Sequence, residues 1–341
     1  MRIAVDAFGG DYAPLEVIKG AVAAAKELSD EIILVGKEDE IRSVLQSENV
    51  PEGLVSIRHA EEVIGTDEHP VAAIRAKKNS SLMVALKMVK DKEADAVVSA
   101  GNTGAYLAGA FRVLGRIKGV KRPALTAVMP TITDKISVIL DVGANADCKP
   151  FQLVQFAHMG AIYAENVLGI KNPRVALLNI GAEEAKGNAL TKETYALLKE
   201  TKLNFIGNVE PRNVLLGEAD VIVSDGFTGN VVIKSIEGTA GALFKMLKEV
   251  FYKNLGTKLA AGVLKPGLKT VKNKLDYSEY GGVPLLGVDG VVFKSHGTAD
   301  AKTIKNAILV ANDYYKAGIT EKIKELVATE QDDSAEETEM A

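Results

Sequence analysis

Short runs rich in β-branched residues alternate with longer amphipathic segments along almost the whole chain of 341 residues. The runs predict β-strands, and most segments between them carry apolar residues at spacings of three and four, which predict helices. Strand, helix and strand in repetition imply right-handed crossovers and a mostly parallel sheet with both faces covered. The expected strands occupy residues 2–6, 31–35, 54–58, 94–99, 124–129, 136–141, 174–180, 204–206, 221–224 and 291–294.

We therefore expect an α/β fold, a three-layer α/β/α sandwich. The connection at 130–135 is too short for a crossover and predicts an antiparallel hairpin. One large domain is expected over residues 1–330, followed by an acidic, disordered tail over 331–341.

The composition indicates the class of protein and excludes some partners. Hydrophobic residues make up 47% of the chain and charged residues 25%, as in a globular protein. The 41 basic and 45 acidic residues nearly balance and only 5% are aromatic, so we expect no nucleic-acid partner. The single cysteine fits a reducing compartment, and no signal peptide or membrane-spanning run is visible. We expect a cytoplasmic protein that at most lies on the inner face of the cell membrane.

Five of the expected strands run into polar turns that contain glycine, at residues 100–104, 142–145, 181–188, 225–230 and 295–297. The carboxyl ends of parallel strands meet at one edge of a sheet, so we expect these turns to surround one ligand cleft. Glycine lets a ligand approach the backbone, and the next helix offers unpaired N–H groups that suit a phosphate. Each turn alone is equally typical of loop and capping chemistry.

The common nucleotide-binding and hydrolase motifs are absent. The sequence has no G-x-x-x-x-G-K-[ST], no G-x-G-x-x-G after a strand, no H-E-x-x-H and no G-x-S-x-G. His59, His69 and His158 have no clustered partners, so no metal is expected. Cys148 is expected to be a small buried side chain rather than a nucleophile. A reaction in which a bound anion is the nucleophile would need no protein nucleophile.

Six motifs follow one another over residues 1–320: DAFGGD at 6–11, SAGNTG at 99–104, DVGAN at 141–145, NIG…KGN at 179–188, DGFTGN at 225–230 and GGVPLLG at 281–287. Together they resemble the bacterial phosphate acyltransferase (PlsX) family. The family usually has Met where this chain has Phe8, an apolar exchange that leaves Asp6 and the glycines unchanged.

The resemblance implies a fold similar to that of phosphotransacetylase and the isocitrate and isopropylmalate dehydrogenases, with two lobes around a cleft, in a homodimer. It implies a catalytic domain that moves a long-chain acyl group from acyl carrier protein to inorganic phosphate. The product would be acyl phosphate for phosphatidic acid and phospholipid synthesis. No cofactor is implied.

Phosphate can attack a thioester directly if the enzyme holds both reactants and stabilises an oxyanion. The residues with predicted catalytic roles are Lys186, Asn230, His296 and Asp225. Those expected to bind phosphate or the acyl thioester are Asp6, Gly9, Gly10, Asn102, Thr103, Asn145, Asn179, Asn188, Thr228 and Gly229. As alternatives, Lys186 would only pair with Glu183, His296 would only cap a helix, and the aspartates would orient neighbouring donors.

A basic segment over 244–274 carries eight lysines and one glutamate. Its apolar spacing predicts an amphipathic helix, interrupted at Gly262 and at Pro266-Gly267. This segment is expected to contact an anionic membrane or the acidic acyl carrier protein. The contact residues predicted are Leu255, Leu259, Val263, Leu264, Lys258 and Lys265. The alternative is a solvated helix packed on its own domain or across a dimer.

Three other functions remain open at this point. A short-chain phosphotransacylase that uses acyl coenzyme A would need the same cleft chemistry. A membrane-associated scaffold without turnover would leave the five polar turns without a purpose. A dehydrogenase of similar fold is disfavoured by the absence of a dinucleotide motif.

Overall fold

The computed structural model describes residues 1–133, 135–275 and 281–339. Its strands are β1 (Arg2–Asp6), β2 (Glu31–Gly36), β3 (Val55–His59), β4 (Ala96–Ser99), β5 (Ala124–Pro130), β6 (Ile136–Leu140), β7 (Val175–Leu178), β8 (Phe205–Val209), β9 (Val221–Val223), β10 (Gly282–Leu286) and β11 (Val291–Ser295). All the strands expected from the sequence are present, with ends shifted by a few residues.

Helices alternate with these strands along most of the chain. They are α1 (Leu15–Leu28), α2 (Glu38–Leu45), α3 (Pro70–Ala76), α4 (Ser81–Lys90), α5 (Thr103–Val113), α6 (Pro150–Asn166), α7 (Ala189–Glu200), α8 (Gly226–Phe251), α9 (Leu255–Leu275), α10 (Ala301–Lys316) and α11 (Ile319–Glu339), with a 3₁₀ turn at Pro211–Leu216. The α/β class is therefore confirmed.

The chain divides into two compact units, and the first contains residues 1–125, 165–169 and the C-terminal residues from 281. Its strands lie in the order β3-β2-β1-β4-β11-β10, all parallel except β10. Ile3, Ala4 and Val5 of β1 are all buried. Because successive strand residues point to opposite faces, both faces of this sheet are covered. α1 packs against α10, and α4 against α5.

The second unit contains residues 126–164 and 170–275 as described. Its strands lie in the order β5-β6-β9-β7-β8; β5 and β6 form the expected antiparallel hairpin, and the other pairs are parallel. A Cβ added at Gly160 of α6 would lie 2.7 Å from Val221 of β9. The next residue of β9, Ile222, instead packs in a cluster with Val232 and Ile233 of α8. Helices therefore cover both faces here too.

Strand β10 was not expected from the sequence. It forms within the GGVPLLG motif, where Gly and Pro284 are more typical of a turn or an edge. Antiparallel pairing with β11 and with residues 124–125 of β5 stabilises it. This pairing joins residues far apart in the chain, so local propensity does not reveal it.

The prediction of one basic helix with breaks at Gly262 and Pro266-Gly267 is wrong. α8 ends at Phe251, and α9 continues through Pro266. The break lies at Asn254, which caps α9: its Oδ1 accepts from Thr257 N at 2.9 Å, and Thr257 Oγ1 accepts from Asn254 N at 3.1 Å. α9 packs along α8, and this tertiary support outweighs the cost of a proline inside the helix.

The C-terminal helix α11 has a helical backbone as far as Glu339. It thus extends into residues 331–341, for which the composition predicts a disordered tail, and the proposed domain boundary at 330 stays a prediction. None of the described helices is long and apolar enough to span a lipid bilayer.

Candidate active site

Two of the predicted turns, those after β4 and β11, meet the turn after β1 at the carboxyl edge of the first unit's sheet. A Cβ added at Gly9 would lie 2.7 Å from the backbone nitrogen of Gly101, so the turns after β1 and β4 are in close contact. Gly10 has a φ of 111°, and a Cβ there would lie 3.0 Å from the carbonyl oxygen of Gly297. The same carbonyl accepts a hydrogen bond from Asp11 N at 2.7 Å. Both glycines are therefore required by backbone packing.

A buried polar row lies directly below these turns. Lys294 of β11 is in register with Ser99 of β4, and Ser99 Oγ donates to the Asp6 carboxylate at 2.7 Å. All three side chains are buried. Burial raises the pKa of the Asp6 carboxyl above its ordinary value, although hydrogen bonds from Ser81 and Ser99 and the charge of Lys294 act in the opposite direction.

Lys294 was not among the site residues predicted from the sequence. Its ammonium donates to the carbonyl of Ser295, at the start of the turn that contains His296. The available signal is a lysine within the otherwise apolar strand 291–294. A buried lysine needs partners, and here Asp6 and a backbone carbonyl provide them.

The side chain of Asn102 has a structural role. Its Oδ1 accepts from Ala105 N at 2.9 Å and caps α5, while its Nδ2 donates to the carbonyls of Thr66 at 2.8 Å and Glu68 at 3.1 Å. The polar atoms of this side chain are thereby occupied. Thr103 is exposed at the first position of α5, where its backbone N–H has no intrahelical acceptor.

His296 does not cap a helix, so that alternative is wrong. Asp300 caps α10 instead, with Oδ1 accepting from Thr303 N at 2.9 Å. The Nδ1 atom of His296 lies 2.8 Å from Thr298 Oγ1 and accepts from Thr298 N at 3.3 Å. A neutral ring with Nδ1 as acceptor carries its proton on Nε2. The imidazole is exposed, so a substrate could come within hydrogen-bond reach of it.

In the second unit, the buried carboxylate of Asp141 holds the turn after β6. It accepts from the backbone nitrogens of Gly143, Ala144 and Asn145 at 3.1, 3.0 and 2.7 Å, and from Asn145 Nδ2 at 2.8 Å. Asn145 therefore supports the turn, and its contact with a substrate stays a prediction. Cys148 Sγ donates to the Asn145 carbonyl at 3.6 Å, which is a structural contact.

Asp225 caps α8, and its catalytic role stays a prediction. Its carboxylate accepts from Thr228 N and from Thr228 Oγ1, each at 2.8 Å. A Cβ added at Gly229 would overlap the carbonyl oxygen of Asp141, so the first turn of α8 packs directly on the turn after β6. Asn230 is exposed, and its Nδ2 would lie 2.9 Å from a Cβ added at Gly143. Asn230 thus stands over the backbone of that turn.

The turn after β7 is shaped by two asparagines. Asn179 is buried; its Oδ1 accepts from Ile180 N at 2.8 Å, and its Nδ2 donates to the Lys186 carbonyl at 3.2 Å. Asn188 caps α7 by accepting from Thr191 N at 2.9 Å. Lys186 is exposed, and within the part of the chain that the structure describes its ammonium has no ion-pair partner, Glu183 included.

The turns therefore form a cluster at the carboxyl edge of each unit's sheet: those after β1, β4 and β11 in the first unit, and those after β6, β7 and β9 in the second. One cleft shared by the five turns named from the sequence stays a prediction. Of the predicted side chains, Lys186, Asn230 and His296 are exposed, whereas Asp225 and Asn188 cap helices. Among the described residues, the N–H of Phe227 in the first turn of α8 has no acceptor, which suits an anion.

The strands of both units and the polar turns at their carboxyl ends define an α/β protein with the fold of phosphotransacetylases. The phosphotransacetylase from Streptococcus pyogenes superposes with a TM-score of 0.62 at 17% identity, covering 92% of this chain and 94% of that one. A branched-chain phosphotransacylase from Enterococcus faecalis gives 0.55 at 14% identity, covering 92% and 99%.

Some proteins have a much higher sequence identity to this chain. The family model described as "fatty acid synthesis protein" matches residues 1–322. A phosphate acyltransferase from Dictyoglomus turgidum is 53% identical over 95% of this chain and 97% of its own length. One from Bacillus cereus is 54% identical over 90% and 92%. The chain belongs to the fatty acid synthesis protein family, the phosphate acyltransferases resembled by its motifs, and it is an acyltransferase.

Proposed function

We propose that the protein transfers a long-chain acyl group from acyl carrier protein to inorganic phosphate, forming acyl phosphate for phospholipid synthesis. The observation that carries the proposal is the family match over residues 1–322, which includes all six motifs, with relatives named phosphate acyltransferase. Polar, glycine-containing turns at the carboxyl edge of each sheet support it, because they offer backbone N–H groups to an anion.

The reaction needs no protein nucleophile. A phosphate oxygen attacks the thioester carbonyl carbon, the carbonyl π electrons move to oxygen, and the oxyanion then collapses with cleavage of the carbon–sulfur bond. The sulfur leaves as a thiolate with the bonding pair. A thiol pKa of about 8.5 makes a strong general acid unnecessary. The enzyme contributes by aligning the reactants and stabilising the oxyanion.

The proposed phosphate site is the amino end of α8, in the second unit. The N–H of Phe227, the exposed amide of Asn230 and the Lys186 ammonium are the proposed donors there. Asp225 and Thr228 act as positioning residues through the cap of α8. In the first unit, Thr103 and His296 remain predicted contacts, with His296 as the group for proton transfer.

The reaction is tested with the long-chain acyl thioester of acyl carrier protein as donor. The assay measures the phosphate-dependent release of the free thiol of the carrier protein. Lys186→Met should raise the KM for phosphate by about tenfold or more, because a hydrogen bond to a charged group contributes about 1.5–3 kcal/mol. Lys192→Met, an exposed lysine on α7, is the matched control and should leave the KM unchanged. If Lys186→Met kept both kcat and KM within twofold, Lys186 would have no role.

The acyl donor is tested in the same assay. Faster turnover of acetyl or butyryl coenzyme A than of the long-chain acyl thioester of acyl carrier protein would identify a short-chain phosphotransacylase instead. No phosphate-dependent thiol release from any donor would favour the scaffold function. Light scattering on the purified protein tests the proposed homodimer.

We also propose that α9 docks on the inner, anionic face of the cell membrane. Leu259, Val263 and Leu264 are 71%, 82% and 50% exposed, although they are apolar. Lysines close to an anionic surface add about 1 kcal/mol each. The described helices include no membrane span, so this contact would be peripheral.

Sedimentation with anionic vesicles tests this contact. Leu259→Glu with Val263→Glu should abolish binding, whereas Met246→Glu with Val250→Glu, also exposed but on α8, should not. Unchanged sedimentation of the α9 variant would exclude docking by this face. Titration with acyl carrier protein in the absence of vesicles, using Lys258→Gln with Lys265→Gln, tests the alternative use of the same lysines.

A further inference from the structure

The buried row of Asp6, Ser99 and Lys294 is not used by the proposed reaction. Ser99 is its central member: Oγ donates to the Asp6 carboxylate at 2.7 Å and accepts from Gly101 N at 3.0 Å. This single hydroxyl therefore joins the end of β1 to the turn after β4. Because the N–H of Gly101 is occupied in this way, it is a structural donor rather than one for a ligand.

Lys294 acts on the turn after β11. Its ammonium donates to the carbonyl of Ser295, and Ser295 Oγ donates to the carbonyl of Gly281 at 2.7 Å. The residue that precedes His296 is thus held on both its backbone and its side chain. The start of this turn is therefore fixed from inside the sheet.

The start of α5 is fixed to the same two strands. The buried Tyr106 hydroxyl lies 3.0 Å from the carbonyl oxygens of Val97 in β4 and of Phe293 in β11. Thr103, at the first position of α5, lies three residues before Tyr106. Thr103 and His296 are therefore both supported by β4, β11 and the polar row below them.

Folding stability alone does not account for the two charged members of the row. Replacing a buried ion pair by apolar side chains of similar volume is often neutral or stabilising. What Ser99 and Lys294 add is direction, because each hydrogen bond fixes one backbone group of a turn at the carboxyl edge.

The charge beside these turns indicates which substrate they serve. The two Oδ atoms of Asp11 lie 3.9 and 4.0 Å from a Cβ built at Gly297, so an exposed carboxylate adjoins the turn after β11. A phosphate dianion would be repelled there, whereas the uncharged carbonyl of a thioester would not.

We infer that Ser99 and Lys294 are positioning residues for acyl transfer, an inference that rests on the proposed function. They hold Thr103 and His296 in place for the acyl thioester, while the proposed donors to phosphate lie in the second unit. Neither Ser99 nor Lys294 touches the reacting atoms.

Ser99→Ala tests the inference with little change in volume. It should lower kcat by about ten- to a hundredfold, because small displacements of aligned groups have effects of this size, and should leave the KM for phosphate within about twofold. Ser137→Ala is the matched control. Ser137 is also a buried strand serine, and its Oγ donates to the Ala219 carbonyl at 2.7 Å near the amino end of β6. The control should lose similar stability in urea and keep its kcat.

A second pair of variants tests Lys294 without leaving one buried charge unpaired. Lys294→Met with Asp6→Asn should lower kcat as Ser99→Ala does. Arg174→Met with Asp220→Asn removes an ion pair of 2.8 Å at the amino ends of β7 and β9, and should not. Hydrogen exchange of the full chain without substrate should become faster over 100–104 in Ser99→Ala, and over 295–300 as well in the Lys294 double variant.

Three results would overturn the inference. The first is a kcat within twofold of wild type for Ser99→Ala, and the second is an equal loss of kcat in Ser99→Ala and Ser137→Ala, which would indicate a general effect of stability. The third is a loss confined to the KM for phosphate, which would place phosphate at the first unit's turns. Absence of thiol release by the wild type would instead contradict the proposed function, and exchange over the two turns is measured independently of turnover.

Discussion

Two glycines of α8 have opposite surroundings and provide a direct test of how the site is packed. A Cβ added at Gly229 would overlap the carbonyl oxygen of Asp141 and lie 2.6 Å from Ser224 Oγ, whereas nothing lies within 4 Å of a Cβ at Gly238. Because the neighbours of Gly229 include backbone, they cannot move without shifting the turn after β6.

The expected magnitudes follow from this difference. Replacing glycine by alanine in a helix stabilises a protein by up to about 1 kcal/mol, and Gly238→Ala should show this gain. Gly229→Ala receives a similar gain but adds overpacking of about 1–3 kcal/mol. Since both variants make the same exchange in one helix, the helix propensity largely cancels, and the difference in their free energies of unfolding reports the overlap.

Urea denaturation measures that difference, and the KM for phosphate provides a second measurement. Gly229→Ala should be less stable than Gly238→Ala by about 1–3 kcal/mol. It should also raise the phosphate KM, because it displaces Asn230 and the start of α8 from the turn that they contact, while Gly238→Ala leaves KM unchanged. Equal stability of the two variants would refute the packing described between α8 and the turn after β6.

Three further predictions concern polar groups near the two sheet edges. Asp225→Ala removes both bonds to Thr228 and should cost about 1 kcal/mol in urea denaturation, with Asp225→Ser recovering most of it; an unchanged midpoint for the alanine variant would exclude the cap. Because burial raises the folded-state pKa of Asp6, the stability contributed by the protonated carboxyl is fully present below pH about 4 and is lost as the pH rises through the raised pKa. The stability of the wild type relative to Asp6→Asn should therefore fall as the pH rises above about 4; parallel stability curves would contradict this. Lys294→Met removes a charge that lowers the Asp6 pKa, so the fall in stability with pH should extend to higher pH in this variant. A double-mutant cycle of Lys294→Met with Asp6→Asn should give a coupling free energy of about 0.5–3 kcal/mol, and additive effects would show that the two groups do not interact.

Helix caps show how far local sequence leads. Asn102, Asn188, Asp225 and Asp300 each bond the backbone nitrogen three residues later. The polar turns after the strands include Asn102, Asn188 and Asp225 but not Asp300, and the same residue types also suit phosphate binding. Only the complete set of hydrogen-bond partners in the folded protein distinguishes a helix cap from a phosphate ligand. Asn102 is an example, because its side-chain amide also donates to the carbonyls of Thr66 and Glu68.

The sequence by itself determined the α/β class, the expected strands, the hairpin at 130–135 and the polar turns that follow the strands. These depend on periodicity and on turn residues, which act over a few neighbouring positions. The tertiary structure alone decided strand β10, the unbroken course of α9 through Pro266 and the burial of Lys294 beside Ser99 and Asp6. Each of these depends on contacts between residues distant in the chain, whose free energies outweigh local preference and cannot be read from a short window of sequence.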